Sequence, residues 1–267
     1  MSEPLPLHLG AAPFGASPSF VELLRTEHPD ALPPGSGDGP PFPVPHGTTV
    51  LGLKFADGIV MAGDRRATSG NIIADPKMRK VFAADGLSAI AIAGVAGQAI
   101  EMVKLFQLEL EHYEKITGDR LSLEGKANRL AQMIRSNFPL AMQGLIVVPL
   151  FGGYDERRAE GRIFYYDATG GRWEEDDYHT TGSGGQPAKN SLKKRWKPGL
   201  DHDAALRVAA EALIDAADDD SATGGPDAVR GLWPIMVSVT AAGAADVPEA
   251  DVIAAVDAVL AARRDAS

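Results

Sequence analysis

The chain has 267 residues, of which 45% are hydrophobic and 23% charged, a composition able to bury a sizeable core as one large domain plus a tail. Lys and Arg number 26 against 36 Asp and Glu, and the net charge of −10 repels phosphate backbones and anionic lipid, which argues against nucleic-acid and membrane partners. Without cysteine there is no disulfide, thiolate nucleophile or Cys-ligated zinc, so covalent chemistry must use an oxygen or an amine.

Residues 1–47 are rich in Pro, Gly, Ala and Ser and bury too little apolar surface to offset chain ordering, which predicts a mostly flexible leader. It has neither the basic cluster nor the unbroken apolar run of a targeting signal, and no later stretch is long and uncharged enough to span a bilayer; the expected location is cytoplasmic. Within the leader, Ser19 and Glu22 form a capping box, opening a short helix near 19–25 with Phe20, Leu23 and Leu24 on one side. Such a helix is marginal alone, and either docks on another surface or forms transiently.

From Thr48 the pattern changes. Thr49 to Phe55 and Ile59 to Ala62 are β-rich runs around Ala56-Asp57-Gly58, a hairpin signal. Further strands are predicted at 80–84, 88–93, 145–151, 162–167 and within 231–240 after Pro234. Ala99, Val103, Phe106, Leu110 and Tyr113 recur at helical spacing, and a second helix starts at N-cap Ser122 and runs through Leu130 and Ile134. A third runs from about Asp203 to Asp215, and a last one follows Pro248. The order suggests sheets stacked between helical layers, in one domain spanning 48–267.

Gly47-Thr48-Thr49 lies where the leader ends. Cleavage before Thr48 would give one residue both a hydroxyl nucleophile and a free amine to serve as its base. An α-amino group, with an ordinary pKa of about 7.7 to 8.0, is partly neutral at neutral pH where a lysine is not. Taken alone, the step is also what a strand start looks like, and Thr49 reads as a strand residue. It is followed by Gly63-Asp64-Arg65-Arg66-Ala67-Thr68, Arg79-Lys80-Val81, Ile92-Ala93-Gly94, Gly182-Ser183-Gly184 and Asp220-Ser221-Ala222-Thr223-Gly224-Gly225.

Together these blocks closely resemble the β-subunit family of the 20S proteasome, most of all its actinobacterial form, from Thr48 to the C-terminal helix. The resemblance implies an α+β fold, the four-layer αββα sandwich of the N-terminal nucleophile hydrolases. It also implies seven-membered β rings stacked between α-subunit rings, with other β subunits as neighbours and polypeptides as substrates. Thr48 is then the nucleophile and Lys80 the lysine whose charge lowers the proton affinity of the Thr48 hydroxyl and amine, with Asp64 as partner of that buried ammonium. Lys77 competes for that place on chemistry but not on pattern. Gly94 maps to the oxyanion position, and Ser183, Asp220 and Thr223 to the group that orients the terminal amine; Thr223 stands where many members have Ser, with the hydroxyl kept.

Thr68 and Ala96 map to positions whose backbone pairs with extended substrate. Ala67, Met78, Phe82, Ile92, Ala96 and Ile100 map to the pocket for the residue before the cut, all apolar, so cleavage after hydrophobic side chains is expected; each is equally a plausible core residue. The leader becomes a propeptide that keeps the Thr48 amine acylated until Thr48 Oγ attacks the Gly47 carbonyl, and Gly47, lacking Cβ, lets the backbone bend for that attack. His46 would depart with the leader. His8, His28, His112, His179 and His202 show no metal-ligand spacing, and neither a P-loop nor a dinucleotide fingerprint is present, so no cofactor or metal is expected and unfolding energy would come from a separate regulatory ATPase ring. Three alternatives stand beside this reading: an HslV-type protease, another amidohydrolase of the same class, and a noncatalytic ring subunit. A leader of 47 residues and a remainder of 267 − 47 = 220 argue against the first. Activity on polypeptides only after co-assembly would separate the proteasome reading from the second. Retention of Gly47, Thr48, Asp64 and Lys80 argues against the third.

Overall fold

The computed structural model describes residues 47–265, all within Phe42–Ser267, one of the two units into which the chain divides. The predicted helix near 19–25 and His46 lie outside the described residues. Strands β1 (Thr49–Phe55) and β2 (Gly58–Gly63) form the expected hairpin, with a turn at Ala56-Asp57 and Phe55 opposite Gly58. A short hairpin follows, β3 (Ala67–Ser69) and β4 (Ile72–Asp75), then β5 (Val81–Asp85) and β6 (Ser88–Gly94). Helices α1 (Ala96–Thr117), α2 (Leu123–Ser136) and the single turn α3 (Phe138–Ala141) precede β7 (Val147–Asp155), β8 (Glu160–Tyr166), β9 (Arg172–Glu175) and β10 (Tyr178–Gly182). Next come α4 (Gly185–Arg195), α5 (His202–Asp219), β11 (Ile235–Thr240), β12 (Gly243–Asp246) and α6 (Glu249–Asp265).

The strands build two five-stranded antiparallel sheets, ordered β10-β1-β2-β11-β12 and β5-β6-β7-β8-β9. Side-chain alternation decides what each face meets. Val50, Ile59, Met61 and Val239 of the first sheet share a buried core with Val81, Ala91, Leu150 and Ile163 of the second. The opposite faces pack on helices: Leu51, Leu53 and Ala62 with residues of α4, α5 and α6, and Ile90, Ile92 and Phe151 with residues of α1 and α2. Both faces of the inner strands are therefore buried, which explains why their sequences read as nearly continuous apolar runs.

Some expectations shift. Tyr113 does not join the buried face of α1, which holds no buried residue past Leu110; it is exposed. The third predicted helix is longer at both ends, starting at N-cap Asp201, whose carboxylate accepts the Ala204 N–H at 2.7 Å. Ser122 caps α2 as predicted, accepting the Gly125 N–H at 3.1 Å. Lys80 precedes its strand instead of opening it. Among the described residues no helix is long and apolar enough to cross a membrane.

Candidate active site

Thr48 directly precedes β1, an interior strand of its sheet, so the strand neighbours bring the ends of β2 and β10 to its side. Thr49 lies opposite Gly182, and the Asp64 N–H donates to Thr49 O at 3.1 Å, which carries Asp64 and Ser183 to either flank of the threonine pair. Lys80 reaches in from the other sheet, its carbonyl held by the Ile92 N–H at 2.9 Å.

Lys80 and Asp64 have fully buried side chains, and Lys80 Nζ lies 2.6 Å from Asp64 Oδ1. Burying two charges is costly unless their remaining hydrogen-bonding capacity is met. Here it is met closely. Asp64 also accepts the backbone N–H groups of Thr49 at 2.9 Å, Arg66 at 2.8 Å and Gly224 at 2.8 Å. Lys80 Nζ donates to Arg66 O at 2.5 Å and reaches Gly47 O at 3.4 Å. Burial lowers the Lys80 pKa below that of a free lysine, and the facing Asp64 carboxylate opposes that pull. The result is an ammonium more acidic than an exposed lysine.

A second chain of polar groups lies on the other flank. Ser183 Oγ donates to Asp220 Oδ2 at 2.6 Å and accepts the Thr48 N–H at 3.4 Å, while the Ser183 N–H donates to Thr48 O at 2.8 Å. Thr223 Oγ1 also donates to Asp220 Oδ2 at 2.6 Å. With that proton committed, the 2.6 Å contact between Thr49 and Thr223 hydroxyls must run from Thr49 to Thr223, and Thr49 Oγ1 in turn accepts the Gly184 N–H at 3.0 Å. Partial burial of Asp220 favours its neutral form, but donors from Ser183, Thr223 and the Ala222 N–H outweigh this and its pKa is lowered.

Gly47 completes the centre. Thr48 Oγ1 donates to Gly47 O at 2.6 Å, so hydroxyl and carbonyl of the adjoining residues are already in contact. A Cβ at Gly47 would lie 2.3 Å from Thr68 Oγ1 and 2.9 Å from Ala222 O, so the position accepts no side chain without displacing backbone. Gly94 ends β6 at φ 111°, a conformation that disfavours L side chains, with its virtual Cβ 2.1 Å from Ile146 O. Ala67, Met78 and Ile92 are buried in one apolar cluster against which Phe82, Ala96 and Ile100 pack partly exposed. Thr68 is buried on β3 beside Gly47. Lys77 is exposed, whereas Lys80 is fully buried against Asp64.

The structure thus gathers Gly47, Thr48, Asp64, Lys80, Ser183, Asp220 and Thr223. Thr223 reaches Thr48 only indirectly, through Asp220 and Ser183. Sequence reasoning missed Thr49, read as a strand residue, and Arg66 and Gly224, whose backbone groups complete the ion pair. The doubled threonine, the run Asp64-Arg65-Arg66 and the block Asp220-Ser221-Ala222-Thr223-Gly224-Gly225 were the available signals. Among the described residues no group of three or more His, Asp or Glu could hold a metal ion.

A family profile described as a proteasome subunit matches residues 44–229. The chain is 55% identical over 227 residues to the "Proteasome subunit beta" of Acidimicrobium ferrooxidans, covering 85% of this chain and 83% of that protein. It is 57% identical over 231 residues to the "Proteasome subunit beta" of Streptomyces griseus, covering 85% and 82%.

Proposed function

The chain belongs to the proteasome subunit family, and we propose that it is a catalytic β subunit made as a precursor, which cuts its own Gly47–Thr48 bond and so becomes an N-terminal threonine endopeptidase. The observation that carries this reading is the 2.6 Å contact between Thr48 Oγ1 and Gly47 O, backed by a fully buried Lys80–Asp64 pair.

In self-cleavage, Thr48 Oγ bonds to the Gly47 carbonyl carbon as its proton passes to a water molecule that carries it to the Thr48 nitrogen. The Gly47 C–N bond then breaks as the Thr48 nitrogen takes up a proton, leaving an ester. Water hydrolyses the ester, releasing residues 1–47 with a Gly47 carboxylate and restoring the hydroxyl beside a free amine. Lys80 Nζ, 3.4 Å from Gly47 O, favours the developing negative oxygen. Once free, the amine stays near Ser183 Oγ, which Asp220 holds, and can take the hydroxyl proton when Thr48 attacks a substrate. Gly94 supplies an oxyanion N–H in this reading, Thr68 and Ala96 pair with extended substrate, and the cluster around Met78, Phe82 and Ile100 receives the apolar residue before the cut.

Two sheets sharing one core with helices on their outer faces support the four-layer αββα sandwich of N-terminal nucleophile hydrolases. As a family member the chain assembles with other proteasome subunits. Seven-membered β rings between α rings, a separate ATPase ring that feeds them, and a cytoplasmic location complete the reading. Incubating the assembled, matured particle with a peptidyl electrophile carrying an apolar residue before the warhead tests it. The adduct is expected on Thr48 together with loss of peptide hydrolysis; stoichiometric inhibition with the adduct on another residue would overturn it.

A further inference from the structure

We propose that the cavity lined by Arg65, Arg66, Arg230, Gly224, Asp227 and Trp233 is an oxyanion-binding site that braces the backbone around Asp64. The cavity measures about 40 Å³, roughly three times what one water needs, which suits a carboxylate or a phosphate-sized ion. Three guanidinium groups line it against one carboxylate, in a chain whose net charge is −10. That carboxylate, Asp227, pairs with Arg230 at 3.2 Å. Arg65 and Arg66 have no carboxylate partner among the described residues: Arg65 donates to Lys77 O at 3.0 Å and Arg66 to Ser221 O at 2.9 Å. Arg65 Nε is moreover buried with no hydrogen-bond partner among the described residues. A buried donor left unpaired is costly, and a charged fork left without an anion is a binding site for planar or tetrahedral oxygens.

The cavity wall is also the back of the candidate active site. The Arg66 N–H and Gly224 N–H both donate to Asp64, Arg66 O accepts from Lys80, and the Arg66 side chain holds the carbonyl of Ser221, next to Asp220. An oxyanion bridging the arginines would fix this segment and with it the Lys80–Asp64 pair. Binding does not depend on the proposed function; only its effect on turnover does.

Inorganic phosphate titrated into the full chain at fixed ionic strength, with chloride as balancing salt, tests the site through Trp233 fluorescence and titration calorimetry. A saturable response is expected, weakened about tenfold by Arg65→Gln or Arg230→Gln through loss of a charge-assisted contact, and unchanged by Lys104→Gln on the exposed side of α1. Arg230 has a side chain 73% exposed, so its variant keeps the test open if Arg65→Gln does not fold. No saturable response, or an equal one in a folded Arg230→Gln chain, overturns the proposal. Repeating the titration on the assembled particle identifies the source: the response persists if a free ion is the ligand and disappears if a neighbouring subunit's carboxylate fills the cavity. With phosphate bound, peptide hydrolysis is expected to rise in the unmodified particle and not in Arg230→Gln.

Discussion

In the proposed self-cleavage one peptide bond joins the attacking Thr48 hydroxyl to the attacked Gly47 carbonyl, and the surroundings leave no latitude. The virtual Cβ of Gly47 sits 2.3 Å from Thr68 Oγ1 and 2.8 Å from Ala222 Cβ, so Gly47→Ala must move the carbonyl. Misplacement by about 1 Å can cost on the order of 100-fold in rate. Self-cleavage of Gly47→Ala is expected to slow by that order in a mass-spectrometric time course, and Thr68→Ala in the same chain to recover part of it; an unslowed Gly47→Ala would show that the bond reacts from another geometry. Asp64→Asn leaves the Lys80 ammonium buried beside a neutral amide, and removal of one partner from such a pair costs about 3–5 kcal/mol. In denaturant unfolding the double variant Asp64→Asn/Lys80→Met is expected to be more stable than Asp64→Asn alone, with both inactive. Additive losses would mean that the pair is not coupled.

At the scale of elements, interior strand β8 and the edge strands β9 and β10 carry a stack: Tyr165 lies between Trp173, at 5.5 Å between ring centroids, and His179, at 4.1 Å. Burial, with the nearby Lys189 charge adding to it, lowers the His179 pKa to about 4. The unfolded chain therefore binds a proton near pH 6.5 that the folded one refuses until about pH 4, and stability falls as pH drops through that window, levelling below it. A shift of this size corresponds to ~3 kcal/mol. Glu175, 3.8 Å from His179, opposes the trend: burial raises its pKa, with Asp176 and Asp177 adding to the rise and Lys189 countering it, so the folded chain takes up its proton first. His179→Phe keeps the ring and removes the titration, and its unfolding free energy is expected to lose less than that of the parent between pH 6.5 and 4. Parallel curves would mean that His179 titrates as a free imidazole. These edge strands were also the least legible part of the sequence. The β1–β2 hairpin, the cap at Ser122 and the strand after Pro234 carry local signals, whereas Arg172–Glu175 is charged and short, and α4 opens on Gly185 and Pro187 with only Ala188 and Leu192 buried among its apolar residues.

At the scale of the whole molecule, three cores make the site possible: one between the sheets and one behind each sheet under its helices. The shared core holds β1 and β5 in fixed relation, and thereby Thr48 near Lys80 although they stand 80 − 48 = 32 positions apart in the chain. That juxtaposition was legible as spaced blocks. The hydroxyl relay through Thr49 was not, because it exists only where the loops after β10 and after α5 meet.

Intact-mass analysis of the chain co-assembled with its partner subunits, for the unmodified protein and for Thr48→Ala, tests the central claim most directly. The unmodified chain is expected to lose residues 1–47 and to begin at Thr48, while Thr48→Ala keeps its full length in the same particle. A Thr48→Ala chain trimmed at that bond in purified particles free of added protease would contradict self-cleavage by Thr48.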